Sequence, residues 1–297
     1  MSETPIVSVL MTAFNREKYI AEAIESVLAS TFINFELIIV DDCSKDNTLN
    51  IANNYAAKDN RIKVYGNEQN LGDYHNRNQA AGFAKGKYIK YVDADDLIYP
   101  YGLEVMVKSM EKNPEAALGI CDTLFINTKP HPFISQSVET IRNEFLGREI
   151  LGSVGPTFTI FKKSEFEKLG KFTGKRYVGD AEMWFKFAAN YPILILPPGL
   201  VWWRQHPGQE FQLGSNDYLF MRNDMKMSNL ESVSTFFTSC ELKIIKAKLR
   251  RLVCSTFVII LLKERKLKLS IQYRKYFKIN FYEIFKALIP KINLRNN

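Results

Sequence analysis

The sequence predicts an α/β fold, a Rossmann-like, mostly parallel sheet flanked by helices, with a basic helical extension behind it. Three observations carry that expectation. Short β-rich runs alternate with helical patterns through the first hundred residues, polar residues fall directly after each run, and positive charge collects from residue 240 onward.

The strand-like runs are IVSVLM (6–11), FELIIV (35–40), RIKVY (61–65) and YIKYV (88–92), and the first three each lead into a helical pattern. After the first, Ile20, Ala23, Ile24, Val27 and Leu28 recur at helical spacing. After the second, Leu49, Ala52, Tyr55 and Ala56 share a face behind two candidate caps, Ser44 and Asp46. Strands joined by helices of this length pair in parallel, and such sheets bind ligands beyond the carboxyl ends of their strands. That is where the polar segments lie: TAFN (12–15), DDCS (41–44), GNEQNLG (66–72) and DADD (93–96). Four polar strand ends on one rim predict a binding crevice.

Further along, the pattern predicts a helix over 101–112, a strand at AALGIC (116–121) and a turn-rich loop, NTKPHPFISQS (127–137), over the crevice. YVGDAEMWFKFAANY (177–191) places Ala181, Trp184, Phe185 and Ala188 on one helical face. ILIL (193–196) is a strand stopped by two prolines, followed by a second short strand and a polar turn carrying His206.

With 297 residues, 46% of them apolar, the chain has material for one large α/β domain and a smaller appendage. Cys43, Cys121, Cys240 and Cys254 form no CxxC pair, which argues against a disulfide framework or a zinc site and fits a reducing compartment. The start MSETPIVSVL lacks the basic segment and cleavage site of a secretory signal, so a cytoplasmic location is expected. Residues 240–297 hold fifteen Lys or Arg against three acids, a balance of +12, and the rest of the chain carries −4. A basic tail of this kind meets an anionic membrane surface or forms a solvated, packed helical cap; nucleic acid is not expected. Its longest apolar run, LVCSTFVIILL (252–262), has eleven residues. That falls short of the roughly 20 that span a bilayer, and predicts a buried or interfacial helix.

DADD poses the chemical question. Carboxylates at the end of a buried strand are costly unless solvent, a cation or a ligand's positive partner meets them. VSVLMTAFNREKYIAEAIESVLAST, FELIIVDDCSKDNT, NLGDYHNRNQA, GKYIKYVDADD, VGDAEMWFKFA and WRQHPG together, in this order, resemble the motifs of the family 2 glycosyltransferases. The resemblance covers roughly residues 5–210, and it implies the GT-A nucleotide-diphospho-sugar transferase fold and an inverting, metal-dependent transfer. Residues 1–215 would form the catalytic domain, with a nucleotide-binding half (1–100) and an acceptor-side half (101–215), and 216–297 the helical extension.

By the same resemblance, Thr12, Ala13, Phe14, Asp41 and Arg77 read the nucleobase and ribose, and Asp93 and Ala94 face the ribose or sugar. Asp95 binds Mn²⁺ or Mg²⁺ on the diphosphate, His206 approaches the diphosphate or metal, and Arg204 contacts the diphosphate. Asp180 is the implied base, with Glu182 as the fallback, and Asp96 is expected to cap the following turn. Relatives carry Glu-Asp where this chain has Gly179-Asp180, which puts the contacts of that Glu in doubt. The expected donor is a UDP-sugar. The expected acceptor is a glycan or lipid-linked glycan of cell-surface polysaccharide synthesis, met at the membrane face.

Two other readings compete. An aspartyl-nucleophile phosphohydrolase also uses DxD, but after an early strand and followed by Thr or Val, unlike the DL here. A catalytically silent sugar-nucleotide binding protein is favoured only by the missing Glu.

Overall fold

A computed structural model describes residues 4–121, 129–206, 209, 216–263 and 265–288. The chain forms two compact units, Met1–Gln209 and Glu210–Asn297. In the first, the elements run β1 (Val7–Ala13), α1 (Ile20–Leu28), β2 (Phe35–Asp41), α2 (Thr48–Ala56), β3 (Ile62–Gly66), α3 (Asp73–Phe83) and β4 (Tyr88–Tyr91). They continue with β5 (Leu97–Ile98), α4 (Gly102–Lys112), β6 (Leu118–Cys121), β7 (Phe133–Ser135), α5 (Ser137–Leu146), β8 (Thr159–Lys162) and α6 (Lys163–Lys168). The unit closes with α7 (Gly179–Asn190), β9 (Ile193–Leu196) and β10 (Val201–Trp202).

One sheet carries the order β3-β2-β1-β4-β8-β6-β9-β7, and β5 and β10 form a separate antiparallel ribbon. Strands β3, β2, β1 and β4 are mutually parallel, as the alternation of strands and helices predicts. β1 and β2 are almost entirely buried, so their sequences read as largely apolar runs, interrupted by Ser8 and Glu36. Ile20, Ala23, Ile24 and Val27 of α1 enter the same core as Val7, Val9, Met11 and Leu37. This half ends all its strands on one edge, which is where the site lies.

The second half departs from the expectation. β8 is antiparallel to both β4 and β6, and it joins the two halves of the sheet. Its sequence TIFK is only four residues long and abuts α6, so its periodic signal is too short to stand out. Part of the stretch 127–137, expected as a loop, is β7, which pairs antiparallel with β9 through Phe133, Ile134 and Ser135. Residues 122–128, which include the start of that stretch, lie outside the described residues. Of the two candidate caps for α2, Asp46 accepts the Thr48 amide at 3.0 Å, whereas the Ser44 hydroxyl accepts the Asn15 amide from the loop after β1.

Trp184 anchors α7. It is fully buried among Phe161, Phe172 and Phe187, and its indole N–H donates to the Val154 carbonyl at 3.0 Å. A buried indole needs such a partner, and the bond ties the helix to the loop before β8.

The second unit contains α8 (Asn216–Ser232), α9 (Ser239–Val258), α10 (Leu267–Tyr276) and α11 (Phe281–Leu288). Thr238 and Glu241 close α9 with a capping box. Val253, Cys254, Phe257 and Ile260 pack on Tyr273 and Phe277, so most of the run 252–262 is core, while Ile259 and Leu262 stay exposed. Among the described residues no helix is long and apolar enough to cross a membrane.

Candidate active site

The loops after β1 and β2 are laced together at the parallel edge. Asn15, in the left-handed region at φ 54°, accepts the Lys45 amide at 2.8 Å, and Asp46 accepts the amide of Glu17 at 3.1 Å. Above them Ala13 is buried, Thr12 half-buried and Phe14 exposed. The two aspartates after β2 then divide sharply. Asp42 is saturated: it accepts from the Asn67 amide group at 2.8 Å and from the backbone N–H groups of Leu71 at 2.8 Å and Gly72 at 2.9 Å. Asp41 is equally buried, but only its Oδ2 is engaged, by the Ser44 amide at 2.9 Å, while its Oδ1 has no protein partner. A buried acceptor left open is costly unless a donor arrives from outside the protein. The residue expected to read the nucleotide is the one holding that open acceptor.

Arg77 and Asp93 form a fork. Arg77 donates through its two terminal nitrogens to the Asp93 oxygens at 2.6 and 3.0 Å, and through Nε to Asp73 at 2.7 Å. Burial opposes the guanidinium charge, yet Asp73 and Asp93 together hold its pKa well above the usual arginine value. Its face lies over the Tyr91 ring, whose hydroxyl donates to the Arg77 carbonyl at 2.8 Å. Arg77 spends its donors on Asp73 and Asp93. The Asp93 amide donates to the Thr157 hydroxyl, and the buried Lys90 ammonium, its pKa pushed by burial down to about 8, donates to the Thr157 carbonyl.

Asp95 meets His206. The His206 Nε2 lies 3.0 Å from the Asp95 Oδ2, across 111 positions of sequence, and the imidazole ring sits 4.5 Å from that of Tyr19. Arg16 Nε donates to the same oxygen at 2.8 Å. The side chain of Ala94, between the two aspartates, points into the core, leaving only its backbone for a ligand. Asp96 does not cap the next turn by its side chain: its Oδ1 accepts the Arg204 amide at 3.0 Å, clipping the segment after β10 to the end of β4. Burial, reinforced by Asp93 and Asp95, pushes the Asp96 carboxyl up to about 7. Arg204 itself donates to the Asp95 carbonyl at 2.9 Å and to Glu22, and it stacks on Tyr19 and Trp202. The acidic row is thus balanced by Arg16, Arg77 and Arg204, of which Arg16 was not anticipated. Its signal was its place at the end of the polar run after β1.

Among the described residues no group of three His, Cys, Asp or Glu side chains assembles into a metal cage. The donor set fits a different kind of site. One carboxylate oxygen and one imidazole nitrogen in contact, with Arg16 as a displaceable counter-charge, suit a hard divalent cation that takes its remaining ligands from a diphosphate and water. Asp95 and His206 are the residues that would hold it.

Asp180 stands at the first turn of α7. Its Oδ1 accepts the Ala181 amide at 2.7 Å, and the Tyr74 hydroxyl faces both the carboxyl and the backbone amide of Asp180. Burial pushes the carboxyl up to about 6, against the lowering effect of those two bonds. Gly179 packs its bare α-carbon on the Tyr74 ring, and a β-carbon there would come within 2.9 Å of the ring carbons. Glu182, the fallback base, is tied down: it accepts from Lys175 at 2.6 Å and from Thr173 at 2.5 Å, and is buried. Pro207 and Gly208, after His206, lie outside the described residues.

The sheet is mostly parallel, with an acidic rim at the ends of β2 and β4 and a further carboxyl at the start of α7. The profile of Glycosyl transferase family 2 matches residues 8–170, more than half of the chain, and the chain belongs to that family. Glycosyltransferase GlyG of Streptococcus pneumoniae is 27% identical over 221 residues, covering 70% of this chain and 73% of that one. An uncharacterized glycosyltransferase of Haemophilus influenzae is 40% identical over 113 residues, which is 38% of this chain and 35% of the relative's length. Among solved structures, S. aureus TarS 1–349 in complex with UDP-GlcNAc superposes with a TM-score of 0.70 at 21% identity, covering 91% of this chain and 80% of TarS. Mannosyltransferase PcManGT from Pyrobaculum calidifontis, in complex with GDP-Man and Mn²⁺, gives 0.58 at 16% identity, covering 96% and 86%. These likenesses establish the GT-A fold.

Proposed function

We propose that the chain transfers a sugar, with inversion, from a nucleoside diphosphate sugar to a hydroxyl of a glycan acceptor. The observation that carries this reading is the contact between Asp95 and His206 at the end of β4. It supplies a two-residue ligand pair on the sheet edge that also carries the open acceptor of Asp41, and Asp180 adds a protonatable carboxyl. Asp41 Oδ1 accepts an N–H or O–H of the nucleoside, and Arg77 holds Asp93 where it meets the ribose or sugar. A divalent cation, Mn²⁺ or Mg²⁺, when bound by Asp95 and His206, offsets charge on the departing diphosphate.

Asp180 takes the proton of the acceptor hydroxyl as that oxygen bonds to the anomeric carbon and the bond to the diphosphate breaks. The products are the glycosylated acceptor, the nucleoside diphosphate and a protonated Asp180. A base with a pKa near 6 is ionised at neutral pH and still basic enough to receive a proton. TarS is crystallised with UDP-GlcNAc and PcManGT with GDP-Man and Mn²⁺, which supports a nucleotide-sugar donor; a UDP-sugar is the first to test. The test is turnover: nucleoside diphosphate release from a UDP-sugar panel, abolished in Asp180→Asn. Release unchanged in that variant would sink the assignment of the base.

The acceptor reading, a lipid-linked glycan of surface polysaccharide synthesis, rests on the second unit. Phe281, Tyr282 and Phe285 of α11 are 65–73% exposed, and Arg274 lies 4.1 Å over the Phe281 ring. Exposed aromatics among Lys275 and Lys278 suit the headgroup layer of an anionic bilayer, where rings enter the interface and ammonium groups meet phosphate.

A further inference from the structure

We infer that Tyr74 is a positioning residue for Asp180: its ring, seated on the bare α-carbon of Gly179, fixes the first turn of α7, and its hydroxyl holds the carboxylate in place. The inference rests on the reading of Asp180 as the base. Tyr74 is the second residue of α3, and this end of α3 grips the segment leading into α7 at three points. Asn78 clamps Phe172 on both sides, accepting its amide at 3.1 Å and donating to its carbonyl at 2.9 Å. His75 packs against Gly174, at φ +79°, where a β-carbon would come within 2.7 Å of the imidazole. Tyr74 closes the row on Gly179, with its ring 5.3 Å from that of Phe172.

Two of the three grips need a glycine opposite, Gly174 under His75 and Gly179 under Tyr74. A β-carbon at 2.9–3.1 Å from three ring atoms of a buried tyrosine is not relieved without moving the ring, which is buried and packed against Phe172. The glycine that stands before Asp180 is therefore the partner of Tyr74 rather than a sign of a silent site. A phenylalanine would fill the same space, so the hydroxyl has a separate purpose. A buried phenol needs hydrogen-bond partners, and Asp180 presents it with two, its backbone amide and its carboxylate.

Several groups face Asp180. Tyr74, Asp73 and Arg77 do so from α3, the Ala181 amide from its own helix, and Gly155 comes closest from the loop before β8 without placing a side chain between. Asp73 and Arg77 act with opposite signs on the carboxyl and are engaged with one another at 2.7 Å. That leaves the Tyr74 hydroxyl and the Ala181 amide as the donors that favour the ionised form against burial. Loss of the hydroxyl removes one of two, and the carboxyl becomes harder to ionise.

The experiment is the pH dependence of kcat/KM for wild type, Tyr74→Phe and Asp180→Asn, with melting temperature as the measure of folding. In Tyr74→Phe the acidic limb moves up by about one unit, lowering kcat/KM at pH 6 about fivefold while leaving it near wild type at pH 8.5. A limb at the wild-type position in a folded Tyr74→Phe overturns the inference, since a residue that only fills space does not shift a titration. Activity and limb retained in Asp180→Asn overturn the reading of the base instead, and with it the ground for the inference. Should Tyr74→Phe fail to fold, Gly179→Ala, which displaces the ring but keeps the hydroxyl, is read on the same axis, and an unmoved limb there overturns the inference equally.

Discussion

The two terminal nitrogens of Arg77 meet the two carboxylate oxygens of Asp93 at 2.6 and 3.0 Å, so that one buried guanidinium orients the first acid of the DAD motif from the neighbouring helix. A third nitrogen on Asp73 leaves the group no freedom to swing. Arg77→Lys keeps the charge but loses the fork, because an ammonium acts as a point charge. We expect kcat/KM for the donor to fall by about 10–100-fold, the scale of about 1.5–3 kcal/mol for a hydrogen bond to a charged group. Initial rates at subsaturating donor measure this; a loss under twofold contradicts it.

The Asp180 carboxyl predicts the pH behaviour of turnover. With its pKa pushed by burial up to about 6, kcat/KM falls roughly tenfold per unit below that value and is flat above it until another group titrates. Asp180→Asn loses about 10²–10⁴-fold in kcat, the usual contribution of a general base, with donor affinity unchanged. Stopped assays from pH 4.5 to 8.5 and a donor titration check both statements.

The same carboxyl has a stability signature of opposite sense. Its folded pKa lies above the ordinary aspartate value of 3.8, so between about pH 4 and 6 the folded chain binds the proton better than the unfolded chain. Its contribution to stability therefore declines as pH rises through that window. By linkage the burial of the ionised group costs up to about 3 kcal/mol at pH 7. Asp180→Asn should melt higher than wild type at pH 7 and converge with it near pH 4; a lower melting temperature at pH 7 would falsify this.

Replacing Phe281, Tyr282 and Phe285 with serine in the full chain should reduce co-sedimentation with vesicles rich in anionic phospholipid by at least about fivefold, given the loss of three interfacial aromatic anchors. Raising salt should weaken what binding remains, as electrostatic capture requires. Equal sedimentation of variant and wild type would leave the basic extension as a solvated helical cap.

Much of this architecture was legible in the sequence because β1, β2 and β4 are buried almost throughout and read as largely apolar runs, broken only by Ser8, Glu36 and Lys90, that end at Thr12, Asp41 and Asp93. β7 and β8 were not legible, since three or four residues of alternation do not distinguish an edge or bridging strand from a loop. In the site, the motif resemblance nominated Asp95, His206 and Asp180 by position. The arrangement around them depends on contacts that cross more than seventy positions, such as Arg16 to Asp95, or that involve a missing side chain, as with Tyr74 on Gly179. Residue types alone carry no trace of such pairings.

The most direct test is a calorimetric titration of the protein with UDP, GDP, dTDP and CMP, each with and without Mn²⁺, on wild type and Asp95→Ala. One of the diphosphates should bind, Mn²⁺ should tighten it, and Asp95→Ala should remove the gain from the metal while leaving the protein folded. Binding of none of the four, with or without metal, would contradict the crevice as a nucleotide-sugar site.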